Sequence, residues 1–246
     1  MQNEPAVTND SRTIEARARA LDWERLAQSL EDLSFGMARG FLDADECAEL
    51  RAMYDESWRF RSTITMARHG FGRGEYRYFA YDLPAPVAAL RQALYSMLAG
   101  LANGWAARLG TPAHWPTQHG ALLERCRAAG QHRPTPLLLR YGAGDFNCLH
   151  QDLYGSIHFP LQATLLLDHP GDDFEGGEVV LVESRPRQQS RCEVVTLGRG
   201  DLVVFPVRER PRMGTRGVYR TTLRHGVSTI RAGRRHTLGI IFHDAQ

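Results

Sequence analysis

The sequence predicts a mainly β protein braced by N-terminal helices, an α+β chain whose second half is an antiparallel sandwich or jelly roll. Two patterns carry that reading. From Pro136 onward, short apolar and β-branched runs are separated by turn residues, with no helical period between them. Before Pro136 the apolar residues recur at three- and four-residue steps, as on the buried stripe of a helix. Strands that follow one another without intervening helices pair antiparallel, in a sandwich or jelly roll.

Taken in order, residues 1–12 are polar, contain Pro5 and are expected to form a disordered tail. Residues 13–135 are expected to be a helical support region. Ile14, Ala18, Leu21, Leu26, Leu30 and Leu33 mark one helical stretch. Asp43, with Glu46 three residues on, reads as the N-cap of a second helix running through Leu50, Met53 and Tyr54. Segment 60–79 alternates arginine, aromatics and glycine, too irregular for a helix and too glycine-rich for a quiet strand. It reads either as a substrate-facing lid carrying Arg68, Phe71, Arg73 and Tyr76, or as a long hairpin whose aromatics cover the barrel mouth. A helix from Pro86 to Leu109 follows, then a proline-containing stretch with a short helical piece from Ala121 to Ala129. Residues 136–246 are expected to be the β-strand core. Its strands are expected at 137–141, 161–167, 178–183, 193–197, 202–206, 219–227 and 235–243, within one compact domain overall.

The chain of 246 residues is long enough for a large domain with a helical extension. No apolar run approaches the ~18 residues of a membrane span. The start, Met1-Gln2-Asn3-Glu4-Pro5, lacks the basic-then-apolar pattern of a secretory leader, so a cytoplasmic protein is expected. The cysteines, Cys47, Cys126, Cys148 and Cys192, form no Cys-x-x-Cys pair, which argues against a zinc ribbon or redox dithiol. Every basic residue is arginine, and thirteen of them lie between Arg185 and Arg235, against Glu193, Asp201 and Glu209. A basic surface there would favour an anionic partner such as nucleic acid; solvated loops would give the same count.

The chemistry centres on Tyr141-Gly142-Ala143-Gly144-Asp145-Phe146-Asn147-Cys148-Leu149-His150-Gln151-Asp152. On an extended backbone His150 and Asp152, two residues apart, project from one face and can reach one ion together. A lone His-x-Asp is a weak signal, but His225 supplies a distant third donor. Two histidines and a carboxylate on one face leave coordination positions open, as non-haem Fe(II) oxygenases require. Cys148, close by, reads as a small buried hydrophobe rather than a ligand. Gly233-Arg234-Arg235-His236-Thr237-Leu238 offers an arginine for a dicarboxylate, because guanidinium forms a bidentate fork and stays charged.

In order, Tyr141-x-x-Gly144, His150-x-Asp152, Gly176-Gly177-Glu178, Gly200-Asp201-Leu202-Val203-Val204-Phe205, His225-Gly226-Val227 and Arg235-x-x-Leu238 resemble the Fe(II)/2-oxoglutarate dioxygenase superfamily. The resemblance implies a double-stranded β-helix, a cupin-like jelly roll. It implies Fe(II) held by His150, Asp152 and His225, with 2-oxoglutarate and O2 as co-substrates and ascorbate as reductant in vitro. The opening of the last strand matches Arg235-His236-Thr237-Leu238, so Arg235 rather than Arg234 is the expected 2-oxoglutarate anchor, with Tyr141 and Thr237 beside it. His236 is expected on the opposite face, and His158, His169 and His243 are expected to be structural.

The run Leu149-His150-Gln151-Asp152 is similar to that of AlkB-type nucleic-acid dealkylases. It departs at Leu139, where those enzymes place asparagine, and at Tyr154, where they place an acidic residue contacting the base. Tyr154 therefore joins the expected substrate-facing residues. A prolyl-hydroxylase-like branch shares the Tyr-x-x-Gly spacing but usually has an aromatic at the position of Asn147. Across its length the chain is similar to a bacterial family of 2-oxoglutarate oxygenases sharing the segments 66–76 and 238–244, a family associated with oxidative repair of alkylated DNA. The expected function is therefore a dioxygenase that couples decarboxylation of 2-oxoglutarate to hydroxylation or oxidative demethylation, with alkylated nucleic acid the favoured substrate. Hydroxylation of a protein side chain or small metabolite is the alternative, and a non-catalytic metal- or ligand-binding barrel the remoter one.

Overall fold

The computed structural model describes residues 13–215 and 217–246, so the tail expected over residues 1–12 lies outside the described residues. The first helical stretch is two helices, α1 (Ile14–Ala20) and α2 (Trp23–Leu33). Leu21 turns extended, and the Asp22 carboxylate restarts the helix by accepting from the Arg25 amide at 2.9 Å. Strand β1 (Gly36–Ala38) precedes α3 (Ala44–Ala52), which opens on a capping box between Asp43 and Glu46.

Segment 60–79 is a hairpin rather than a free loop: β2 (Phe60–Thr65), β3 (Gly72–Arg73) and β4 (Glu75–Phe79). Strands thus also occur within 13–135, because alternation of Tyr76 and Tyr78 lets β4 pair with the core while glycines confine the irregularity to its tip. Helices α4 (Ala85–Arg108) and α5 (His119–Ala128) complete this half.

The core adds β5 (Leu137–Gly142), β6 (Phe146–His150), β7 (Leu161–Leu166), β8 (Phe174–Gly176), β9 (Val179–Ser184) and β10 (Arg191–Val195). Then follow β11 (Leu202–Pro206), β12 (Glu209–Gly214), β13 (Gly217–Val227) and β14 (Ile230–Ile241). An eight-stranded sheet has the order β1-β11-β7-β14-β5-β4-β2, with β8 added to β14. A six-stranded sheet has the order β10-β9-β13-β6-β3, with β12 added to β13. From β5 to β7, and again from β11 to β14, the chain crosses repeatedly between the two sheets, the winding of a jelly roll.

Period-two alternation sorts the residues. Leu138, Ala163, Leu165, Leu238 and Ile240 face outward under the helices, in one core with Leu90, Leu94 and Leu98 of α4. Tyr141, Leu166, Leu181, Val203, Phe205 and Leu223 face the other sheet in a second core. Helix α4 is locked to the barrel by buried Arg91, which bonds Asp244 at 2.8 Å and the Ile241 carbonyl at 2.9 Å. The helices therefore hold the large sheet from outside and leave the space between the sheets to the site.

Candidate metal centre and its cavity

His150 ends β6, Asp152 follows in the loop, and His225 sits on β13 directly across from His150 in register. Gly226 makes that pairing possible: a Cβ there would lie 2.6 Å from the Asn147 carbonyl oxygen. The two imidazoles lie with centroids 4.2 Å apart. His225 Nε2 is 3.2 Å from Asp152 Oδ2, and His150 Nε2 is 3.6 Å from Asp152 Oδ1. One donor atom from each residue lies within 4.8 Å of the others, close enough to share one cation. The Cys148 carbonyl accepts from His150 Nδ1 at 2.8 Å, which leaves Nε2 as the free lone pair.

Burial opposes the charge of Asp152, yet hydrogen bonding and charge from His225, the charge of His150 and the Tyr154 hydroxyl hold its carboxyl well below the usual range. Burial, with His225 beside it, pushes His150 down, so its imidazole is the neutral, ligating form near neutral pH. Tyr154 donates to Asp152 at 2.5 Å and accepts from Tyr78 at 2.9 Å. Burial and the Asp152 charge push the Tyr154 phenol well above its ordinary value, so it remains a donor.

These groups line a cavity of about 300 Å³ between the sheets. Arg235, Tyr141 and Thr237 line the same cavity, with Arg235 and Tyr141 paired in register across β14 and β5. Arg235 is only 1% exposed. Its Nε and Nη1 atoms and the Tyr141 hydroxyl have no hydrogen-bond partner among the described residues. A buried guanidinium left so is costly, and burial lowers its pKa. The missing partner fits a carboxylate that enters with a ligand. Gly177 gives the side chain room, since a Cβ there would stand 2.8 Å from Arg235 Cδ. Arg234 is exposed, and His236 faces outward, its Nδ1 2.8 Å from Asp168.

Of the expected substrate-facing residues, Phe71, Tyr76 and Tyr154 line the cavity, whereas Arg68 and Arg73 are exposed and outside its lining. The Phe71 ring stacks on His69 at 5.3 Å and 22°. Tyr78 and Gln162 also line the cavity and were not singled out from sequence; the Tyr76-x-Tyr78 alternation was the available signal for the first. Gln162 lies 3.3 Å from His225 Nε2, brought there by pairing that no local pattern reveals.

One sequence expectation needs correction. Cys148 is exposed at the cavity rather than buried, because β6 meets solvent beside the cavity opening. Much of the arginine run is paired with carboxylates in the fold. Glu183 alone receives Arg185 at 3.0 Å, Arg210 at 2.8 Å and Arg212 at 3.3 Å, with Arg210 fully buried. Glu209 pairs with Arg220 at 3.3 Å. The carboxylate of Glu183 lies outside the sequence window that looked so basic.

A family model described as "Oxygenase, catalysing oxidative methylation of damaged DNA" matches residues 74–245. A protein of Mycobacterium tuberculosis strain H37Rv, named only as uncharacterized, is 48% identical over 167 residues, 68% of this chain and 72% of that protein. Its counterpart from strain CDC 1551 matches equally. Among solved structures, a Pseudomonas putida prolyl-4-hydroxylase superposes with a TM-score of 0.53 at 16% identity, covering 91% of this chain and 99% of that one. A Burkholderia pseudomallei oxidoreductase of the 2OG-Fe(II) oxygenase family gives 0.54 at 18%, covering 92% and 94%. A Trichoplax adhaerens prolyl hydroxylase in complex with a hypoxia inducible factor peptide gives 0.55 at 15%, covering 96% and 94%. At such identities the likeness is one of fold.

Proposed function

The chain belongs to this oxygenase family, and from that premise we propose that it is an Fe(II)- and 2-oxoglutarate-dependent dioxygenase acting on alkylated nucleic acid. The observation that carries the reaction class is one cavity holding both a His150–Asp152–His225 cluster and an unpartnered Arg235–Tyr141 pair. In this reading the cluster holds Fe(II), while Arg235, Tyr141 and Thr237 receive the distal carboxylate of 2-oxoglutarate. Bound iron and 2-oxoglutarate supply oxidation by O2 with release of succinate and CO2. The protein's residues orient and exclude water: Tyr76, Leu139 and Phe205 give the cavity apolar walls. Hydroxylation of an N-linked methyl carbon gives a product that collapses to amine and formaldehyde. The intact donor set weighs against a non-catalytic barrel.

Support for nucleic acid comes from the family's description and from the stacked His69–Phe71 pair beside exposed Arg68 and Arg73, a surface suited to a base and its phosphates. The second reading, hydroxylation of a protein side chain or metabolite, is favoured by Tyr154, whose hydroxyl is committed to Asp152 and not free to read a base edge. The experiment measures succinate from 2-oxoglutarate with Fe(II) and ascorbate under air, for wild type, Asp152→Ala and Arg235→Ala, with and without methylated single-stranded DNA. The nucleic-acid reading expects stimulation by methylated DNA, formaldehyde release, and binding that weakens about tenfold or more from 50 to 200 mM salt. Turnover indifferent to DNA and salt would move the substrate to peptides or metabolites. A folded wild type that neither turns over nor binds 2-oxoglutarate would sink the oxygenase reading.

A further inference from the structure

Asp152 lies beyond the end of β6, in a loop, so the strand does not fix its carboxylate. The loop itself does. Tyr154 turns back and gives its single proton to Oδ1 at 2.5 Å. Its oxygen in turn accepts the proton of Tyr78 at 2.9 Å. Tyr78 belongs to β4, opposite Leu137, is 8% exposed, and carries the Arg61 guanidinium 4.5 Å over its ring. A directional chain of hydroxyls therefore runs from the sheet to one oxygen of the carboxylate. The other oxygen, Oδ2, faces His225 Nε2 at 3.2 Å.

We propose that Tyr154, steadied by Tyr78, is the positioning residue of the metal carboxylate: it occupies Oδ1 of Asp152 and leaves Oδ2 as the ligand oxygen. The proposal rests on the metal reading of the His150–Asp152–His225 cluster. A carboxylate can hold a cation with one oxygen or with both. Here the second is taken by a phenol, so one more coordination position stays open to co-substrates. Tyr154 thus serves the reaction through Asp152, and the adjacent aromatics Tyr76 and Phe71 are left to face the substrate.

The test is Co(II) titration by calorimetry, with the ligand-field absorption spectrum of the loaded protein, for wild type, Asp152→Ala, Tyr154→Phe and Tyr78→Phe. Tyr154→Phe removes one oxygen atom and is expected to keep the thermal midpoint. It should weaken Co(II) binding about 10- to 100-fold, as loss of a group orienting a ligand does, and change the spectrum as Oδ1 becomes free to coordinate. Tyr78→Phe should shift both readouts the same way by less. Co(II) affinity within about twofold of wild type and an unchanged spectrum in Tyr154→Phe would overturn the proposal while leaving the metal site standing. Equal Co(II) binding by wild type and Asp152→Ala would remove the metal site itself, and the proposal with it. If Tyr154→Phe fails to fold, Tyr78→Phe decides: unchanged affinity and spectrum there overturn the proposal.

Discussion

Arg235 is the residue whose surroundings say most about the co-substrate proposed for the cavity. Its guanidinium is buried with two nitrogens unpartnered. Replacing such a charge with an apolar side chain of similar length relieves an uncompensated desolvation cost. Arg235→Met is therefore expected to bind no 2-oxoglutarate and yet to raise the thermal midpoint of the free protein by several degrees, about 1–3 kcal/mol. A scan with and without 2-oxoglutarate checks both halves; an unstabilised Arg235→Met would mean that the guanidinium already has a partner, such as water. Gly226 makes a complementary case. A side chain there meets the Asn147 and Cys148 carbonyls, so Gly226→Ala must push β13 away from β6 and part His225 from His150. The expected result is a protein that folds but loses Co(II) affinity by at least about tenfold, read by titration. His-x-Asp was legible as a spacing; the need for glycine beside the third histidine became clear only from the strand pairing.

Among the elements, α4 carries the largest single dependence. Arg91 on that helix and Asp244 near the chain end form a pair with side chains 1% and 0% exposed. Breaking one partner of a buried pair strands the other charge, so Arg91→Ala is expected to cost about 3–5 kcal/mol in urea unfolding. Asp43→Ala, which removes the exposed capping box of α3, should cost only about 1 kcal/mol in the same measurement. The capping box, α4 and most core strands were legible because period, cap and turn residues are local signals. The hairpin over residues 60–79 was only partly so: alternation in Glu75–Phe79 competes locally with glycines at the tip, and pairing with β5 decides in favour of a strand. Strand β12 was missed because its residues, Glu209–Gly214, look like an arginine-rich loop until they pair with β13.

For the whole molecule, packing helices onto one sheet leaves two buried histidines uncharged. Burial, then the charge of Arg91, pushes both His119 and His243 down to about 3 from an ordinary 6.5. The His119 Nε2 proton goes to the Phe242 carbonyl at 2.8 Å, and the His243 Nδ1 lone pair accepts from the Phe159 amide at 3.2 Å. Since the folded pKa of each lies below its unfolded value, the unfolded chain binds the extra protons. The stability each contributes is complete above about pH 6.5 and drains away as pH falls toward 3. Urea midpoints measured across that range should fall with acidification, and His119→Gln should flatten part of the slope. A midpoint independent of pH there would show that these histidines are not buried neutral. No described helix is long and apolar enough to cross a membrane.

By itself the sequence determined the class of architecture, the order of the chemical groups and the identity of the residues proposed to bind iron and 2-oxoglutarate. The architecture follows from local period, and the residues from ordered motifs that resemble those of the Fe(II)/2-oxoglutarate dioxygenases. Tertiary structure decided everything that depends on residues far apart in the chain. It paired His225 with His150 across two strands, directed the Tyr154 hydroxyl to Asp152, and exposed Cys148. It also matched Glu183 with arginines that had looked like a free basic run. The physical reason is the same in each case. A side chain's direction is set by its own backbone, but its partner is set by sheet register and burial, which no single stretch of sequence contains.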